Sequence, residues 1–194
     1  MPAAEDWQEP PWEAPFDEKA LLRAIPAEAT MTGMFLEAVA NLARSKGQNA
    51  QAARDRYTPF RPYPLREHCA LLIEVARLVY PRTTLRLALR KIGSGTPQAL
   101  VRSTIGKVVF GSAMGPLEVM RALARSYAVH MRPGTIEVEP AGPRGVIVHL
   151  SDIHNFLDSH NVGVFEGTLR HSGVEGTVKI RSYTRTAADL LCAW

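Results

Sequence analysis

The chain has 194 residues, of which 46% are apolar and 22% charged, with two cysteines and a formal net charge of +4. A chain of this length buries roughly 70% of its unfolded surface, so it builds a core without disulfide staples, and collagen-like, low-complexity and disulfide-framework classes are excluded. The charge is uneven: residues 1–30 carry seven acids and two bases (−5), residues 31–132 carry 16 bases and 5 acids (+11), and residues 133–194 carry 5 bases and 7 acids (−2).

Residues 1–26 form an acidic arm rich in proline, with Trp7, Trp12 and Phe16 interleaved. Pro10, Pro11 and Pro15 oppose a helix there. The composition fits a flexible extension, and its three aromatic residues equally fit an arm that docks its rings on the domain. Residues 27–194 read as one domain. From Thr32 the apolar positions Phe35, Ala38, Val39 and Leu42 make a helical stripe that ends near Gly47. Residues 45–56 carry no stripe and read as a loop or a surface helix. The next stretch, YTPFRPYPLREH, is forced into an extended path by its prolines. It sets Tyr57, Phe60 and Tyr63 among Arg54, Arg56 and Arg61.

Leu65 to Tyr80 is the clearest helix, with Leu65, Cys69, Leu72, Ala76 and Val79 on one face and Pro81 as its stop. Leu85 to Ile92 follows and is expected to end at Gly93-Ser94-Gly95. Thr96-Pro97 then reads as a cap and first-turn proline opening a helix to about Phe110, with Ser103 and Gly106 as small contact positions. Gly115-Pro116 opens another helix, with Leu117, Met120, Leu123, Ala124 and Tyr127 inward, closed by Pro133-Gly134.

The period then changes to two. Residues 135–139 and 145–150 predict an antiparallel hairpin. A helix over roughly 155–171 carries Gly163 and Gly167, spaced to let two backbones approach. Residues 176–183 and 188–194 predict two final strands. Helices segregated before a small sheet mean an α+β fold, with an N-terminal helical bundle packed on a small antiparallel sheet of two hairpins separated by a helix.

The chemistry-bearing residues make no enzyme signature. There is no G-x-S-x-G, and Gly93-Ser94-Gly95-Thr96 lacks the spacing and the lysine of a phosphate loop. The six histidines are not paired at metal-ligand spacing: His68 and Cys69 are adjacent and diverge on a helix, and His160 and His171 lie about three turns apart. Asp152, His154, Asp158 and His160 could gather at a helix start, where Asp also serves as a cap. No metal site is assigned and no cofactor follows from the residues. No recognition helix, zinc finger or aromatic RNA-binding signature appears, so specific nucleic-acid binding is not expected. The opening segment lacks the basic start and apolar stretch of a signal peptide, and no uncharged apolar run reaches the ~18 residues of a spanning helix. The chain therefore reads as cytoplasmic.

The order of TMTGMFLEAV, YTPFRPYPLREHCALLIEVARLVYP, LRLALRKIG, STIGKVV, VGVFEGTL and the closing LCAW resembles a paralogous family of myxobacterial proteins of similar length, first catalogued in Myxococcus xanthus and without assigned function. The match covers about residues 25–194. More distantly, the order of helices, hairpin, helix and hairpin is similar to the superfamily of haem–nitric-oxide binding domains, vinyl-reductase-like ligand domains and vesicle-tethering subunits. That resemblance implies a small molecule, a haem or an acyl chain enclosed between helices and sheet, and often a dimer. The haem branch's Tyr-x-Ser-x-Arg does not occur; Tyr183-Thr184-Arg185 is a loose echo.

The expected function is a non-enzymatic, homodimeric module for ligand sensing or protein interaction. Its ligand is a small apolar or amphipathic molecule held between the helix at 65–80, the helix at 155–171 and the sheet. Arg56, Arg61 and Tyr63 are the candidates for its polar end, with His160 at the pocket mouth. The alternatives are a haem-linked gas sensor with His160 or His130 as axial ligand, and an adaptor whose +11 segment binds anionic surfaces.

Overall fold

The computed structural model describes residues 7–102 and 115–194, and the side chains of residues 99–102 lie outside that description. The fold is α+β. Its helices are α1 (Glu18–Ala24), α2 (Gly33–Ser45), α3 (Leu65–Val79), α4 (Leu85–Arg102), α5 (Pro116–His130) and α6 (Val162–His171), with a π-helical turn, Leu157–Asn161, running directly into α6. Short strands β1 (Thr30–Thr32), β2 (Pro62–Pro64) and β3 (Met131–Arg132) form an antiparallel sheet in the order β2-β1-β3. Strands β4 (Thr135–Pro140), β5 (Gly145–Ser151), β6 (Thr177–Ser182) and β7 (Ala188–Ala193) form a second antiparallel sheet in the order β4-β5-β7-β6. The two expected hairpins are thus neighbours in one sheet, with Val148 opposite both Val138 and Leu190.

Two apolar clusters fill the interior. One joins α2, α3 and the first half of α4 around Leu36, Leu65, Leu72 and Leu89. The other joins α5, α6 and the larger sheet around Met120, Val148, Phe165 and Leu190. Phe35 and Tyr127 pack against both, so the bundle and the sheet layer meet along a common seam.

The Gly93-Ser94-Gly95 stop does not occur, because α4 continues through it to Arg102 with Pro97 inside the helix. A Cβ on Gly93 would collide with the His160 carbonyl oxygen, one on Gly163 with the Arg90 carbonyl, and one on Gly167 with the Ser94 carbonyl. The glycines therefore let α4 cross α6 at backbone distance, and this tertiary contact overrides their weak helix propensity. Pro97 has no N–H for the Gly93 carbonyl, while the Thr96 hydroxyl donates to the Ile92 carbonyl at 3.3 Å. The expected contact positions Ser103 and Gly106 lie outside the described residues.

Three elements were not anticipated. Helix α1 forms after the last arm proline, capped by Asp17, whose carboxylate accepts from the Ala20 amide at 2.9 Å. The small sheet is built from strands of two or three residues. The π-helical turn follows Phe156, which sits at φ 51°, in the left-handed region.

Residues 7–16 lie across the domain. Gln8 exchanges two backbone hydrogen bonds of 2.9 Å with Ile180 of β6. Arg181 stands over the Trp7 ring, Arg90 over Trp12 at 4.1 Å, and Arg86 over Phe16. Each arginine is itself held by a carboxylate: Arg181 by Asp189, Arg90 by Glu166 and Arg86 by Asp158.

Candidate functional site

The apolar stripe of α2 packs on the core and also borders a cavity. Leu36, Ala40 and Ala43 enter the core, whereas Phe35, Ala38, Val39 and Leu42 line a cavity of about 200 Å³ at the seam of the two clusters. Opposite them lie Ile92 of α4, Leu123 of α5, and Val164 and Phe165 of α6. Ala38, Lys91 and Gly95 are the exposed members of the described lining and mark its rim. A second cavity, of about 300 Å³, lies under the arm between Phe16, Arg86, His154 and Asp158. Its charges are largely matched, since Arg86 pairs with Asp158 and the His154 ring bonds to Asp152 at 2.7 Å. The first cavity is the candidate site.

Histidines gather at its deep end. His68 of α3 and His160 of the π-helical turn stand edge to face with ring centroids 6.4 Å apart. Burial lowers the His68 pKa to about 3, with the neighbouring His160 adding to the effect, and lowers that of His160 to about 4. Both imidazoles are therefore neutral near pH 7. Nδ1 of each ring is buried without a hydrogen-bond partner, and so is the Tyr127 hydroxyl. Burial raises the Tyr127 pKa, with smaller contributions from Cys69 and Asp152, so the phenol stays protonated. His130 also lines the cavity, and its Nδ1 shares a 3.1 Å hydrogen bond with the Thr32 hydroxyl.

The π-helical turn explains how His160 reaches this place. An i→i+5 turn widens the helix locally and re-aims side chains, a device frequent at functional sites. Here it sends Asp158 to Arg86 and His160 inward. The Asn161 amide donates to the Asn155 carbonyl at 2.7 Å and ties the turn down.

Of the residues expected to contact a ligand, His160 lines the cavity and is buried. Arg56, Arg61 and Tyr63 are not among the lining residues. Tyr63 is buried in β2, where its oxygen accepts from the Thr58 amide at 3.0 Å. Arg54 and Arg61 stack on its ring at 5.1 and 5.5 Å, and Arg56 is exposed. The Arg-aromatic loop therefore pins its own chain onto the small sheet. His68 and Tyr127 are the site residues without a role in the sequence reading. The signal for His68 was present, since it lies three residues after Leu65 and four before Leu72, on the buried stripe of α3.

Asp152, His154, Asp158 and His160 do not converge, and among the described residues no group of three or more His, Cys, Asp or Glu is placed to hold a metal ion. Cys69 and Cys192 are buried free thiols with pKa values raised by burial, which makes them small apolar core residues. The excess charge of residues 31–132 is partly matched within the fold: Arg77, Arg86 and Arg90 pair with Glu18, Asp158 and Glu166, all from outside that segment. Among the described residues no helix is long and apolar enough to cross a membrane.

A family model described as "Protein of unknown function (DUF2378)" matches residues 24–194. No curated protein matches the chain. Among solved structures, an Fe(II) unliganded H-NOX protein from K. algicida is similar with a TM-score of 0.64 and 12% identity, over 84% of this chain and 96% of that one. A mutant Fe(II) H-NOX protein from S. oneidensis gives 0.67 and 11%, over 84% and 95%. An oxygen-binding H-NOX domain related to soluble guanylate cyclases gives 0.56 and 13%, over 82% and 89%. At these identities the likeness is one of fold.

Heme is named for the H-NOX family, so its fit is a test of this cavity. His68 and His160 offer neutral nitrogens that an iron could take. The described lining offers a single cation, Lys91, for two propionates, and that amine already stands over the Tyr80 ring at 5.3 Å. The described lining thus matches the iron of a haem better than its two propionates.

Proposed function

Because the chain belongs to the family described as protein of unknown function DUF2378, we propose its role from the site itself: a non-enzymatic module for ligand sensing or protein interaction that encloses a small apolar or amphipathic molecule. The observation that carries this is a cavity at the seam of the two clusters, lined by the apolar side chains Phe35, Ala38, Val39 and Leu42 and by the buried imidazoles of His68 and His160. Mostly apolar cavities with a few convergent polar groups are the usual form of a small-molecule site. The ligand is held between α2, α4 and α6, with His160 facing its polar end.

The same reading takes the chain as a myxobacterial paralogue, on the motif order set out above, and as a cytoplasmic homodimer of one domain with its arm strapped across it. The two buried thiols are compatible with a reducing compartment. Native mass spectrometry of the full chain, purified without refolding, tests the core of the proposal. A small mass released on denaturation is expected, and a clean ligand-free mass would count against it. The alternative keeps the fold and replaces the ligand by haem, favoured by the neutral His160 and His68. Haemin titration separates the two. No Soret shift is expected, and a Soret band that disappears in His160→Leu would move the reading to a haem-linked sensor.

A further inference from the structure

The cavity's walls and floor differ in what they ask of a guest. Phe35, Val39, Leu42 and Val164 give it hydrocarbon on the sides. His68, His160 and Tyr127 line the cavity as well, and Nδ1 of each ring and the Tyr127 hydroxyl are buried without hydrogen-bond partners. Buried polar groups are almost always hydrogen-bonded, so three orphans around one cavity indicate a partner from outside the chain. The imidazoles do not satisfy each other, because a centroid separation of 6.4 Å keeps their nitrogens beyond hydrogen-bond reach.

The charge of the missing partner follows from the lining. No carboxylate lines the described cavity, so nothing there meets a cation, and its one formal charge, Lys91, is exposed at the rim. A neutral imidazole carries one N–H and one lone pair, and a phenol can both donate and accept. A group that both donates and accepts meets such a floor whichever tautomer each imidazole takes. A carboxylate only accepts, and an ammonium only donates. A hydroxyl does both without bringing a charge into an apolar space.

We propose that the cavity selects an uncharged apolar molecule bearing a hydroxyl, seated with that hydroxyl between His68 and His160 and its hydrocarbon against Phe35, Val39 and Leu42. This rests on the reading of the cavity as a ligand site and adds the chemical class that the site distinguishes.

Three probes with the same six-membered ring test it: cyclohexanol, methylcyclohexane and cyclohexanecarboxylate, each titrated into the full-length protein at pH 7 and followed by amide chemical shifts. Cyclohexanol is expected to bind about tenfold more tightly than methylcyclohexane, the size of one buried hydrogen bond gained, and cyclohexanecarboxylate more weakly than both. Tyr127→Phe removes a single oxygen and is expected to weaken cyclohexanol while leaving methylcyclohexane unchanged. His160→Leu is expected to bring the two affinities together. If methylcyclohexane binds as tightly as cyclohexanol, or the carboxylate binds best, the proposed class is overturned while the cavity remains a ligand site. If no probe binds, the class and the ligand-site reading fall together.

Discussion

Acid should unfold this protein through two histidines before its carboxylates respond. His68 and His160 are held neutral by burial, with pKa values of about 3 and about 4, against ~6.5 in the unfolded chain. For a histidine depressed in this way the unfolded state binds protons first as pH falls. Its contribution is intact above about pH 6.5 and declines down to the folded value. Each unit of pH in that window costs about 1.4 kcal/mol per group, so acidification to pH 5 removes about 2 kcal/mol for each histidine and about 4 kcal/mol for the pair. The figure at pH 5 is insensitive to the folded values, since both lie below it. Glu37 and Asp189, whose pKa values are lowered, lose their contributions only below about pH 4.5. His149 works in the opposite direction. Burial alone would lower its pKa, but the hydrogen bond to Asp189 and the charges of Asp189 and Glu139 raise it, so its contribution is present below about pH 6.5 and is lost as pH rises through the folded value. Comparing unaltered protein with His160→Leu cancels these other groups. In urea titrations at pH 7, 6 and 5, the unaltered protein should lose about 2 kcal/mol more than the variant, with unchanged m values. Parallel pH dependences in the two proteins would show that His160 is protonated freely within the fold, and the closed polar floor would be refuted.

Other consequences can be measured separately. Gly163→Ala should cost about 3 kcal/mol, because its Cβ meets the Arg90 carbonyl, whereas Gly95→Ala, in the same helix pair but with nothing within 4 Å of its Cβ, should stabilise by up to about 1 kcal/mol. Equal effects in thermal unfolding would contradict the backbone crossing of α4 and α6. Trp12→Ala removes the ring under Arg90 and should loosen the arm by about 1 kcal/mol or more. Hydrogen exchange at the Gln8 amide, which donates to Ile180, reads that change, and unaltered protection there would separate the ring from arm docking. Asp189 accepts from His149, Arg181 and Tyr183, so Asp189→Asn should bring the His149 pKa down toward its ordinary value in an NMR titration. A His149 curve that does not move would show that Asp189 does not set it.

Much of this architecture is legible in the residues, because periodicity records burial. The stripe from Leu65 to Val79, the alternation of residues 135–139 and the glycine pair at 163 and 167 each report a neighbour directly, and the structure supplies those neighbours. What the residues conceal is long-range. Strands of two or three residues are too short to show a period, so Thr30–Thr32, Pro62–Pro64 and Met131–Arg132 have no local signature. Gly93 resembles a helix stop until α6 is known to lie against it. The stripe Phe35, Ala38, Val39 and Leu42 is readable as apolar, but whether it meets a core or a cavity depends on how far α4 and α6 stand from it. His160 was visible as a candidate; its partner His68, ninety-two positions earlier, becomes one only when the π-helical turn brings the two rings together. Arg61 and Tyr63 carry a ligand-like pattern, but the structure stacks Arg61 on the Tyr63 ring in β2, and Arg56 is exposed; none of the three lines the cavity.

A crystal structure of the full-length protein, purified without refolding, bears most directly on the central claim that bundle and sheet share an interior with room for a guest. Non-protein density is expected in contact with His68 and His160, bounded by Phe35, Val39 and Phe165. Side chains that close this space completely, with each imidazole nitrogen bonded to protein, would contradict it.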